Sequence, residues 1–383
     1  METKLQATTD TGSTPEFLDA FDIQEIPDVP IAAGSVTAVV LAYNELLRFP
    51  HFLDHHRKAG VSLFLVIDNG STDGSAEYLD AQLDVVRFPS SRSYKEFKSH
   101  WRHLIADQYL QGHWAMFPDV DELMVYPGWP EKPLTALTSF WRKEGVQGVF
   151  STMVDMYPEA PLSGVQYSSG TPFLSLCSYF DRVGYRLLPL SKYTERNFPT
   201  PPFQLYGGAR ERLFPVHGKR KASKFDVWLE QFMFAPNAGS RPRFLQRLAR
   251  KFLKASWPKD SASMGKMPLL LWSSEFRFAG GVHRLNQVLN MADDWVALLH
   301  FKYLDDFAER TIEATKRAQH ANNSGHYRHY VEHMGEIVSK GALYSKSVRF
   351  SSVSDLEDAG LMRTSAPLKQ WLASDPASAQ RSK

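Results

Sequence analysis

The sequence predicts an α/β protein, a largely parallel sheet covered by helices. Three observations carry that reading. Between residues 36 and 123, short apolar or β-branched runs alternate with stretches of helical periodicity, the pattern of successive strand–helix–strand units. Two of the strand-like runs stop abruptly in polar and acidic residues, at Asp68-Asn69-Gly70-Ser71 and at Asp119-Val120-Asp121-Glu122. In an open α/β sheet the carboxyl ends of the strands are where ligands gather. Finally, 383 residues at 43% hydrophobic content suffice for one elaborated domain or two.

Residues 1–33 are polar and scattered with Thr, Asp, Gly and Pro, the composition of a flexible N-terminal arm. The run Val36–Ala42 is β-branched and short, as expected of a buried parallel strand. Tyr43-Asn44-Glu45 follows. A helix is predicted over 49–59, with Pro50 in its first turn and Gly60 at its end. The next strand, 62–67, runs into Asp68–Ser75, a turn rich in Asp, Asn, Gly, Ser and Thr before a helix at 74–82. The turn reads either as a ligand-facing loop or as an ordinary capped Asx turn. A strand at 84–88 precedes a helix at 94–110, whose start carries Arg92, Lys95 and Lys98. Cations there oppose the helix dipole, so phosphate contact competes with a plain solvated face.

The stretch Trp114–Pro127 holds the second acidic cluster. An apolar run stops at three carboxylates and then resumes. Residues two apart on an extended chain project to one side, so Asp119 and Asp121 are expected to point together. Convergent carboxylates suit a hard divalent cation, Mn2+ or Mg2+, which bridges nucleotide phosphates. A solvated acidic loop is the bland alternative. A helix at 133–144 and a strand at 146–154 continue the sheet, and 155–215 reads as short strands and long loops shaping an acceptor pocket. In 217–266 the basic stretch Arg243–Lys254 segregates Phe and Leu from Arg and Lys at helical spacing, as in-plane membrane helices do. His300 and Lys302 alternate at the end of a further apolar run, where imidazole suits a metal and ammonium a phosphate. Residues 304–340 read as helical and charged, and the end of the chain as Ser/Ala-rich and loose.

Composition narrows the function classes. A net charge of +2 gives no global field for nucleic acid, and the basic stretch lacks the interleaved exposed aromatics of a nucleic-acid surface. One cysteine, Cys177, rules out an internal disulfide framework and suits a reducing compartment. No basic-then-apolar leader and no apolar run of membrane-spanning length stand out, so a cytoplasmic protein is expected, associated through 243–254 with the inner face of the membrane.

Ala42-Tyr43-Asn44-Glu45, Asp68–Ser75 and Asp119-Val120-Asp121-Glu122-Leu123 together resemble the glycosyltransferases of the GT-A fold, in particular bacterial family 2-like and family 92-like enzymes. Gly207–Arg212, Gly281-Val282-His283-Arg284 and His300-Phe301-Lys302-Tyr303 resemble shorter pieces of the same pattern. The resemblance spans about residues 35–310 and leaves the basic insertion at about 217–266 unmapped. It implies a GT-A domain over 34–310, with a nucleotide-binding half at 34–130 and an acceptor half at 131–310. A C-terminal helical region at 311–364 and a loose tail at 365–383 would follow. It further implies that Asp68 and Asn69 contact the nucleotide with Tyr43 and Glu45 along the same edge. Asp119, Asp121 and His300 would hold the metal, and Arg92 and Lys302 would face phosphate. The expected reaction passes a sugar from a nucleotide-diphosphate sugar, UDP-linked by default, to a glycan or lipid-linked acceptor, with inversion by direct displacement.

That chemistry needs a base for the acceptor hydroxyl, drawn from a segment away from the metal ligands. Glu211, beside the Gly207-Gly208 pair, is the first candidate and Glu275 the second. A nucleotidyltransferase would share the sheet and the metal, but would place a glycine- and basic-rich loop where Tyr43-Asn44-Glu45 stands. A non-catalytic nucleotide-sugar module and a peripheral membrane scaffold are the remaining readings.

Overall fold

A computed structural model describes residues 14–214, 218–239, 241–258, 261–317, 330–331, 334–335 and 337–374. The predicted alternation is there. Helix α1 (Thr14–Ala20) precedes β1 (Val36–Ala42), α2 (Phe49–Lys58), β2 (Val61–Asp68), α3 (Ser75–Asp80), β3 (Val85–Pro89), α4 (Tyr94–Tyr109) and β4 (Trp114–Met116). Then come β5 (Glu122–Val125), α5 (Leu134–Lys143), β6 (Gly148–Asp155), α6 (Phe173–Leu176), β7 (Tyr179–Asp181), β8 (Tyr185–Pro189), α7 (Lys192–Asn197), β9 (Phe203–Gly207) and α8 (Gly208–Leu213). The remainder comprises α9 (Lys224–Phe234), α10 (Arg243–Leu253), β10 (Gly265–Leu271), β11 (Phe278–Ala279), β12 (Arg284–Leu285), β13 (Met291–His300), α11 (Phe307–Arg317), β14 (Ser347–Arg349) and helices Val353–Asp358 and Ala366–Ser374.

Eight strands form one mixed sheet in the order β3-β2-β1-β4-β10-β6-β13-β5. Strands β1 to β4 are mutually parallel, as the sequence predicts. Two strands run against the rest: β10, between β4 and β6, and β5, at the far edge beside β13. Strand β10 escapes a sequence reading because Pro268 sits within it. A proline lacks the amide donor of a central strand, and the β10–β6 register shifts between Lys266 and Leu269 to accommodate it. Its carbonyl instead accepts the Phe117 amide at 2.7 Å.

The acidic motif is a turn between two strands. The Glu122 amide donates to the Asp119 carbonyl at 3.0 Å, and the Asp119 amide donates to the Glu122 carboxylate at 3.0 Å. Although β4 and β5 flank this turn, the strand order sets them four steps apart, about 19 Å in a flat sheet. A β-turn closes to under about 7 Å. The sheet therefore curls, and the acids lie in its hollow.

Two parts of the chain differ from expectation. Within the arm predicted at 1–33, residues 14–20 form α1; Phe17 within this helix and Phe21 just after it are buried and pack edge-on or tilted against Phe88 of β3. Large apolar side chains hidden within a polar stretch carry no periodicity to announce them. In the tail predicted at 365–383, Ala366–Ser374 is a helix with Leu368 fully buried, while 375–383 lie outside the described residues. Of the helical stretch expected at 304–340, α11 is observed and residues 318–329 are outside those described.

Candidate active site

A cavity of about 330 Å³ opens in the hollow of the sheet, at the carboxyl ends of β1, β4 and β13. Tyr43 and Glu45 line it from the loop after β1, Asp119, Asp121 and Glu122 from the acidic turn, and His300 and Lys302 from the end of β13. The sequence thus draws seven candidate or neighbouring residues from three separate segments to one wall.

Asp121 and His300 form the centre of this wall. The Asp121 Oδ2 lies 3.3 Å from His300 Nε2. On its other side the ring donates from Nδ1 to Asp155 Oδ1 at 2.6 Å, and Arg210 donates to the same oxygen at 2.6 Å. Burial opposes charge on the imidazole, yet Asp121 and Asp155 outweigh it and raise its pKa. Burial likewise opposes ionisation of Asp121, and His300 overcomes it, holding the carboxyl well below its ordinary range. Asp155 is fully buried and is also held low, against burial, by Arg210 and His300. An acid behind a histidine fixes the tautomer and leaves Nε2 as the nitrogen facing the cavity.

Asp119 has a different environment. Its Oδ2 accepts from Lys266 Nζ at 2.6 Å and its Oδ1 from Arg102 at 3.1 Å. Lys266 also reaches Glu122 Oε1 at 2.5 Å, so one ammonium on β10 ties both ends of the acidic turn. Asp119 and Asp121 share the cavity but face different partners. Among the described residues, no three His, Cys, Asp or Glu side chains converge on one point. The donor set still fits a cation of the Mg2+ or Mn2+ type, because such ions take one or two protein ligands and complete their shell with substrate phosphates and water. Asp121 and His300 are the residues that would hold it, with Asp119 kept by Lys266 and Arg102.

The remaining cations are arranged around this pair. Arg310 of α11 binds Glu45 through both guanidinium nitrogens, one at 2.8 Å, and Arg48 binds Asp306 at 2.6 and 2.7 Å. Burial raises the Glu45 pKa in spite of Arg310 and Arg48. Lys302 Nζ lies 4.5 Å from the centroid of Tyr330, and burial together with Arg210 brings its pKa down to about 7. Arg317 stacks 3.4 Å from the centroid of Tyr43.

Other candidates lie off the cavity wall. Asp68 accepts the Ser71 amide at 3.0 Å, and Asn69 donates to the carbonyls of Ser90 and Arg92 at 2.9 Å each. Their turn braces the loop after β1: Ser71 Oγ accepts the Asn44 amide at 2.9 Å, Ser75 Oγ the Glu45 amide at 3.1 Å, and Asp73 the Leu46 amide at 3.0 Å. The Asx-turn reading describes this segment, and it holds Tyr43 and Glu45 in place. Arg92 pairs with Asp19 of α1 instead of facing the cavity.

The two base candidates also lie away from the cavity. Glu211 is gripped by Arg186 through two bonds of 2.6 Å and also accepts from Ser261 at 2.5 Å. Glu275 is exposed on the loop before β11. Neither lines the cavity. The sequence reading also passed over Lys266, Arg310 and Asp155. Asp155 carries a usable signal, an acid ending an apolar strand as Asp68 does. Lys266 carries none, since its partners are distant in sequence.

No protein-family model matches the chain, and no curated protein matches it. Among solved structures, it is similar to a 4-diphosphocytidyl-2C-methyl-D-erythritol synthase at 12% identity and a TM-score of 0.22, over 36% of this chain and 66% of that one. The match thus spans just under two thirds of that enzyme. It is also similar to an apo UDP-glucose pyrophosphorylase at 10% identity and a TM-score of 0.24, over 61% of this chain and 93% of that one. Likenesses of this degree carry no argument about activity.

Proposed function

We propose that the protein is a metal-dependent glycosyltransferase acting on a nucleotide-diphosphate sugar, with a glycan or lipid-linked acceptor. The observation behind this reading is the Asp121–His300 pair, 3.3 Å apart, facing a cavity that also receives Lys302 and Arg310. A bound Mn2+ or Mg2+ would supply Lewis-acid stabilisation to the departing diphosphate. The chain's own part is to orient and neutralise. Asp121 and His300 set an oxygen and a nitrogen 3.3 Å apart on the cavity wall, and Asp155 with Arg210 keeps the ring from turning. Lys302 and Arg310 place positive charge where the leaving phosphate gains negative charge, which counts most where water is excluded. Tyr43 with Arg317 offers a flat cationic wall suited to a nucleobase.

In the transfer itself the acceptor oxygen bonds to the anomeric carbon, the carbon–phosphate oxygen bond breaks, and the acceptor proton passes to a carboxylate. Glu313 is the acid at the cavity that stands apart from the Asp121–His300 pair, from the buried Glu45 and Glu122, and from Asp119, which Lys266 and Arg102 hold. The working unit is residues 34–310 extended through α11, because Arg317 lines the cavity.

The test is a donor screen with manganese. Purified protein is incubated with a panel of UDP-sugars and glycan acceptors, and nucleoside diphosphate release is followed together with sugar incorporation. Both are expected, and both should vanish in Asp121→Ala. Pyrophosphate formation from a nucleoside triphosphate and a sugar phosphate would replace the proposal with nucleotidyl transfer. Nucleotide binding by calorimetry with neither reaction would replace it with a binding module.

A further inference from the structure

The hairpin of α9 and α10 turns its apolar side chains outward. Phe225, Trp228 and Phe232 of α9 and Phe244, Leu248 and Phe252 of α10 are 45–68% exposed, so this basic stretch does carry exposed aromatics, against the expectation from sequence. They form one surface: Trp228 stacks on Phe232 at 5.6 Å and touches Phe225 at 5.7 Å, and Phe225 meets Phe252 of the other helix at 6.2 Å. The hairpin is not loose. Met233, Phe234, Ala249 and Leu253 are buried with Leu188 of β8, so each helix packs on the body by a different edge.

Charge is sorted on the same two helices. Residues 218–258 contain ten Lys and Arg against two acids, in a chain whose net charge is only +2. Both acids are turned inward and engaged, Asp226 with Arg220 and Glu230 with Trp257 and Arg186. Arg243, Arg247 and Lys251 are exposed beside the apolar strip of α10, and Arg241 lies 4.3 Å from the Phe232 centroid. A helix pair with aromatic and leucine side chains in the middle and cations along the flank matches the boundary of a lipid bilayer. Tryptophan favours that depth, and each flanking cation gains from an anionic leaflet.

We infer that α9 and α10 together form a monotopic docking surface for an anionic membrane, inserted by Phe225, Trp228, Phe232, Phe244, Leu248 and Phe252 to the depth of the headgroup boundary. Among the described residues no helix is long and apolar enough to cross a membrane, so the hairpin lies in the plane of the surface. The inference does not depend on the transferase reading.

The full chain is mixed with vesicles of phosphatidylcholine alone and of phosphatidylcholine with phosphatidylglycerol, and bound protein is measured by flotation. Binding is expected to the phosphatidylglycerol vesicles, to fall with added salt, and to blue-shift a fluorescence component missing in Trp228→Phe. Arg243→Gln/Arg247→Gln/Lys251→Gln should lower partitioning about a hundredfold, since each cation is worth about fivefold at an anionic surface. Phe244→Ser/Leu248→Ser/Phe252→Ser should abolish it with an unchanged or higher melting temperature, as these side chains are solvent-facing. Failure to float with phosphatidylglycerol vesicles, or flotation undiminished in both variants, overturns the inference. So does a dimer in sedimentation that the triple-serine variant dissolves while wild-type protein ignores vesicles, because the patch is then covered by a second copy.

Discussion

Lys266 and Asp119 are 147 residues apart in sequence, and their charged atoms are 2.6 Å apart in the fold. The same ammonium meets Glu122, which is 1% exposed. Removing it strands a buried carboxylate, a loss that runs to about 3–5 kcal/mol. The Asp119 side chain is 42% exposed, so its share is screened and the cost falls mainly on Glu122. Lys266→Met is therefore expected to lower unfolding free energy by about 3 kcal/mol at neutral pH, read by urea denaturation. Glu122→Gln in the same background should recover part of that loss.

Asp121→Asn should lower the melting temperature modestly and His300→Ala clearly, since the buried Asp155 loses a partner at 2.6 Å. Both should reduce metal-dependent turnover per folded molecule about 10²–10³-fold, the scale seen when one group facing developing charge is lost. Manganese titration should show weakened activation in both. Full activity in either variant would remove that pair from the chemistry.

Glu211→Gln should behave in the opposite way. Arg186 is 5% exposed at its side chain and loses a two-bonded partner, although Glu230 at 3.7 Å remains. A stability loss of about 2–3 kcal/mol is expected, with kcat per folded molecule within twofold or so of wild type. Glu275→Gln, on an exposed loop, should change neither. A collapse of kcat in Glu211→Gln without destabilisation would restore it as the base.

Stability should fall as pH drops from about 6.5 to about 4. His55 on α2 is buried, with its Nε2 on the Met124 carbonyl at 2.8 Å, and burial lowers its pKa to about 4. His103, stacked on Phe278, is lowered by burial to about 4 as well. Between the two pKa values the unfolded chain binds protons that the folded chain refuses. Stability is thus complete above about pH 6.5, declines below it, and loses nothing further from these groups below about pH 4. His55→Gln should flatten part of the slope in denaturation curves taken across that window.

Phe17→Ala tests whether α1 belongs to the domain. Phe17 is 1% exposed against Phe21, Phe88 and Tyr109. Truncating a buried phenylalanine costs about 3–5 kcal/mol, which chemical denaturation would register at once. A loss under about 1 kcal/mol would return this segment to a loose arm.

The first half of the fold was readable because its signals are local. Val36–Ala42, Val61–Asp68 and Val85–Pro89 are short apolar runs closed by turn residues, and each became a parallel strand. The second half depends on partners that sequence does not display. Strand β10 hides behind Pro268, and β5 pairs with β13 at the far edge of the sheet although β4 precedes it in sequence. At the site, Tyr43, Glu45, Asp119, Asp121, His300 and Lys302 meet in one cavity. Spacing could not tell which cation each acid would take. Nor could it tell that Glu211 would be claimed by Arg186, 25 residues away.

An eight-stranded sheet normally offers two rims along which another molecule's backbone can add. Here all four residues of β5 are buried, so one rim is sealed inside the fold. The other, β3, is only five residues long, carries Arg87 clamped to Asp80, and stops at Pro89. Shortness, charge and a missing amide donor are the means by which proteins discourage strand-by-strand polymerisation. The protein thereby keeps so large a sheet without furnishing a template for fibrils.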